Sequence, residues 1–179
     1  MRALNATFGV PTGRLAHRPR PPLVEVVLIP ADTRRPVRVE RRGRDRLPRL
    51  RGSPGAIPLF APPAFLYPDP AFLRPHGPRN DRAGLLAAAH HPWQSPPALH
   101  TDVLLIGAPR GGGHTSVPET HTTALLATGR VHIEFHQPGS RARWRWNGMW
   151  FPDAFVAYQH GLRVVRGFPP VIVRAVPAD

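Results

Sequence analysis

The sequence predicts an α+β fold rich in strands: a small mixed sheet with one or two short helices, a C-terminal β-meander, and a disordered basic arm ahead of both. Three observations carry this. Apolar runs of strand length stand at LVEVVLIP (23–30) and DVLLIG (102–107), bounded by proline, aspartate or glycine. Helix-start residues precede short helical patterns at Asn80-Asp81 and at Asp153. Residues 131–150 read as a hairpin whose two strands agree on one register. The expected organisation is an arm over 1–22, an α+β module over 23–119 and a β-rich module over 120–179.

In chain order, Pro11, Pro19, Pro21 and Pro22 deny the arm regular structure. Residues 23–30 form a buried strand, and 37–40 alternate as a short second strand after a turn. The run RRGRDRLPRLR (41–51) follows, with Leu47 and Leu50 spaced for a helical turn. Residues 56–60 and 64–67 are short extended pieces among prolines. Asn80 or Asp81 caps a helix over 82–90, 102–107 is a core strand, and PRGGGHTS (109–116) is a flexible loop. Residues 120–129 form a short helix or a connection. Asp153 caps AFVAYQH, closed by Gly161, and strands are expected at 162–165 and 171–176.

The hairpin sorts its own side chains. With Gln137-Pro138-Gly139-Ser140 as the loop, His136 pairs with Arg141, Glu134 with Arg143 and His132 with Arg145. Ile133 then pairs with Trp144 and Val131 with Trp146, which makes an Arg–His face and a Trp face. Asn147-Gly148 is a two-residue turn signal that adds a third strand, with Trp146 opposite Met149 and Trp144 opposite Phe151.

All 24 basic residues are arginine, against 11 acids, and cysteine is absent, so disulfide frameworks, cysteine nucleophiles and thiolate metal sites are excluded. Proline reaches 25. Arginine and proline without lysine is the signature of a GC-rich genome, such as that of a GC-rich bacterium. Charged residues make up 20% against a typical ~25%, so the net charge of +13 comes mostly from missing carboxylates. A field of that sign attracts polyanions. No apolar run approaches a membrane span and no secretory leader is read, so no membrane partner and a cytoplasmic location are expected.

The order VVLIPADTRRPVRVE, RLPRLRGSPGAIPL, LYPDPAFLRPHGPRNDRAG and DVLLIGAP, over about 23–119, resembles the small phage and bacterial proteins grouped as domain of unknown function 3846. The family shows an N-terminal hairpin, a leucine segment entering a Gly turn, an acidic turn before Pro-x-Asn-x-x-Ala, and a closing strand-Gly segment. Ser53-Pro54 stands where its paired glycines would be, and Asp69 where an Asn-Glu pair is common. The resemblance implies a small α+β fold and a phage or mobile-element context, and brings no established activity.

Arg41, Arg42 and Arg44, with Arg141, Arg143, Arg145 and Trp150, are the candidate nucleic-acid contacts, since guanidinium forks match phosphate oxygens. Trp144 and Trp146 are expected in the hairpin core, against the competing reading of a stacking platform for unpaired bases. His132, Glu134 and His136 share a strand face in metal-ligand types, but three arginines on that face would repel a cation. The Gly111-Gly112-Gly113 loop lacks a Walker ending, and Ser116, His114 and Asp102 lack a nucleophile elbow. The sequence thus points to a non-enzymatic accessory or binding protein without cofactors, whose partner is sequence-independent nucleic acid. Two alternatives stand beside it: a protein–protein interaction factor whose charge is codon bias, and a small metal-dependent hydrolase. Convergence of the 41–51 run and the hairpin arginines on one surface would favour nucleic acid, and scatter would count against it.

Overall fold

A computed structural model describes residues 22–48, 55–68, 77–91, 98–168 and 170–178. The basic arm, apart from Pro22, and Arg49–Arg51 of the charge run lie outside the described residues. The first sheet contains β1 (Leu23–Ile29), β2 (Arg38–Gly43), β3 (Ile57–Phe60), β4 (Pro63–Pro68), β5 (Val103–Arg110) and β6 (Gly113–Thr115). Its order is β2-β1-β5-β4-β3, with β6 also on β5. The second sheet holds β7 (Val131–His136), β8 (Arg145–Phe151) and β9 (Ile172–Pro177) in the order β8-β7-β9. Three helices complete the described fold: α1 (Asp81–His90), α2 (Glu119–Leu126) and α3 (Ala154–Val164). The fold is therefore α+β and β-rich. The described pairings are all antiparallel, where a mixed sheet was expected.

The apolar runs at 23–30 and 102–107 are central strands because both of their faces are covered. Val27, Ile29, Val103 and Leu105 face one buried cluster, and Val26, Leu28, Leu104 and Ile106 face another. The first cluster also takes Leu86 of α1, Tyr158 of α3 and Ile133 and Val173 of the second sheet. One continuous core thus joins the two sheets, which fall on either side of residue 120.

The caps lie where the sequence placed them. Asn80 accepts from Ala83 N at 3.0 Å, and its side-chain amide donates to Ile29 O at 2.8 Å and Thr101 O at 3.0 Å. Asp153 accepts from Phe155 N at 2.8 Å and Val156 N at 2.9 Å. Gly161 does not close α3. The helix runs on to Val164 and absorbs the strand expected at 162–165. Glycine stands there because a Cβ would lie 2.7 Å from Val173 Cγ1 and 3.2 Å from Ile133 Cδ1, so its role is close packing onto the sheet.

The helical turn expected at Leu47 and Leu50 falls partly outside the described residues; ahead of it Arg41 and Arg42 extend β2, and a single 3-10 turn covers Arg44–Arg46. Interleaved carboxylates make this possible, since Arg41 binds Glu25 at 2.9 Å and Arg42 binds Glu40 at 2.7 Å. Burial alone would raise the Glu40 pKa, but its bonds to Arg42 and Arg38 outweigh that and leave it lowered. The glycine loop is a tight hairpin, with Gly111 and Gly112 at φ +57° and +78°, as a turn that matches strand twist requires. It seats His114 in the interior, where Nε2–H donates to Pro48 O at 2.7 Å and the ring meets Tyr67 edge-on.

Candidate functional site

β7 is the middle strand of the second sheet, so alternation decides its two faces. Val131 and Ile133 turn inward and are buried with Val173 and Ala175 of β9. His132, Glu134 and His136 turn outward, as the sequence indicated. Their neighbours are not the expected ones.

The hairpin register is the main correction. Val131 pairs with Phe151, His132 with Trp150, Glu134 with Trp146 and Phe135 with Arg145. Glu134 was expected to face Arg143, three residues earlier than Trp146. An odd slip moves every side chain of a strand to the opposite face. The connection therefore spans 137–144, with Arg141 and Arg143 exposed in it, and Arg145 opens β8. Asn147-Gly148 is not a turn between strands but part of a bulge: residues 147–149 oppose Ile133 alone. Gly148 takes φ +77° there, and Asn147 Oδ1 accepts from Met149 N at 3.1 Å.

The slip places the tryptophans outside. Trp146 is 51% exposed and Trp150 38%, so the core role expected for Trp146 is overturned. Their rings meet at 5.3 Å between centroids, inclined by 59°. His132 lies against both, 5.5 Å from Trp146 and 5.2 Å edge-on to Trp150. Trp144 is half-buried, not core: it lies over the sheet between His136, at 5.0 Å, and Arg174 of β9, whose guanidinium carbon is 4.0 Å from the ring centroid. Arg130 covers Trp150 at 4.4 Å. These are cation–π distances.

Glu134 is engaged by Arg174, at 2.6 Å and 2.7 Å, in place of the expected Arg143. Its other oxygen lies 3.7 Å from His132 Nε2. The metal candidates His132, Glu134 and His136 thus have their carboxylate committed to an arginine and their imidazoles set among indoles. Among the described residues no three metal-ligand groups converge.

The expected arginines separate onto different sheets, the outcome that counts against one shared nucleic-acid surface. Arg41 and Arg42 sit on β2 at the edge of the first sheet beside Glu25 and Glu40, and Arg44 lies across Gly113 at the glycine hairpin. Arg141 and Arg143 are exposed in the connection before β8, and Arg145 pairs with Phe135, on the face opposite that of Trp146. Arg130 and Arg174 were not singled out in the sequence. Arg174 had a signal, as the one charge within the alternating strand IVRAVP.

The scattered histidines are partly gathered. His90 and His121 meet at 5.8 Å between α1 and α2, both buried. His90 Nδ1 accepts from Phe60 N at 3.3 Å, while its Nε2 has no partner. Burial first, then the neighbouring His121 and His91, push its pKa down to about 3. No helix among the described residues is long and apolar enough to cross a membrane. No family model, curated protein or solved structure matches the chain.

Proposed function

We propose that the outer face of the second sheet binds single-stranded nucleic acid without sequence-specific readout, and that the protein is a non-enzymatic accessory factor of phage or mobile-element type. One observation carries this: two exposed, adjacent indoles, Trp146 and Trp150, on a face that also holds Arg130 and Arg174, with exposed Arg141 and Arg143 in the connection that enters β8. Unpaired bases stack on such rings for roughly 1–3 kcal/mol each, and arginine takes the phosphates. The test is fluorescence titration of the full chain with oligothymidylate at low salt. Replacing Trp146 and Trp150 together by alanine should weaken binding at least about tenfold. A wild-type chain that binds neither single-stranded DNA nor RNA overturns the proposal.

A second reading, a protein–protein factor, draws on a different place. Phe135, Val164, Val165, Phe168 and Val171 line a groove of about 220 Å³, and Phe168 is 68% exposed.

A further inference from the structure

We infer that the tryptophan face selects strands whose bases stack weakly on one another, which makes oligopyrimidine its preferred ligand. The inference rests on the nucleic-acid reading above and specifies the ligand class of the same site. Trp146 and Trp150 are neighbours, at 5.3 Å, but their planes are inclined by 59°. Bases stacked in a single strand are nearly parallel. A base lying on Trp146 and the next lying on Trp150 would be inclined to each other much as the two indoles are. They would have to leave their own stack before both could bind. Purine runs resist that separation and pyrimidine runs do not, so stacking strength and backbone flexibility become a selectivity that needs no hydrogen bond to a base edge.

The inclination is built into the sheet. His132 projects from the middle strand and touches both rings, at 58° to Trp146 and 87° to Trp150. It packs against both rings and so supports their inclined arrangement. Arg130 lies over Trp150 from outside the strand, 4.4 Å from its centroid, and holds that ring a second time. Neither Arg130 nor His132 need touch a base, so His132 is a positioning residue. Glu134 and Arg174 neutralise each other beside it at 2.6 Å, which leaves shape to set the preference at this point of the face.

Binding of equal-length oligothymidylate and oligodeoxyadenylate, measured at one salt concentration, tests this. The wild-type chain should bind the thymidylate about tenfold more tightly. His132→Ala should keep binding but bring the two affinities together. In the double variant Trp146→Ala/Trp150→Ala, the residual phosphate-driven binding should show no preference. Equal affinities in the wild-type chain overturn the inference and leave the platform standing. So does a preference that survives in the double variant. Failure to bind either oligomer overturns the platform itself.

Discussion

Arg174 lies over the Trp144 ring at 4.0 Å while its guanidinium binds Glu134 at 2.6 Å, so one side chain ties the 137–144 connection to the outer face of the sheet. Trp144 is thereby an anchor, while Trp146 and Trp150 stay exposed, Trp150 with Arg130 against its ring.

Trp144→Ala should destabilise the protein by about 1–2 kcal/mol, below the ~3–5 kcal/mol of a fully buried tryptophan. Chemical denaturation of Trp144→Ala, Arg174→Gln and the double variant should give a coupling of about 0.5–1 kcal/mol. Additive effects would show that the guanidinium–indole contact contributes nothing.

The exposed arginines answer to a different measurement. Replacing Arg141 and Arg143 together by Gln should leave the melting curve unchanged, because both are exposed. Each phosphate contact on a single strand contributes about 0.7 to the log–log salt slope, so the slope should flatten by about 1.4. An unchanged slope would place the phosphates elsewhere.

Gly161→Ala adds helix propensity, about 1 kcal/mol, yet puts a methyl 2.7 Å from Val173 Cγ1. Overpacking of about 1–3 kcal/mol should win, and the urea midpoint should fall with little change in its slope. A raised midpoint would mean that β9 gives way to the methyl.

Acid should loosen the core through His90. Its pKa falls from 6.5 to about 3 on folding, so between these values the unfolded chain binds more protons and stability is lost as pH drops. Burial lowers His121 as well, against the raising effect of its bond to Pro62. Below pH 6.5 unfolding free energy should decline with a limiting slope of about 1.4 kcal/mol per pH unit per proton. His90→Gln keeps an acceptor for the Phe60 N–H and should reduce that slope. An unaltered slope assigns the acid sensitivity to other groups.

Much of the fold was legible because its signals are local. Asn80 and Asp153 cap helices through their own side chains, and the doubly buried strand centres read as apolar runs at 26–29 and 103–106. The outward face of β7 followed from alternation alone. What faces it did not. The register of β8 depends on a bulge at residues 147–149 and on Trp144 folding back onto Arg174 of β9, a residue 30 positions away in the sequence. Alternation is equally satisfied by registers of either parity, so the sequence left open whether the tryptophans or the arginines would share the face of His132 and Glu134. Tertiary packing decided it. Val131 and Ile133 are buried against the helices and β9, Glu134 pairs with Arg174, and Trp146 and Trp150 meet over His132 on the solvent side.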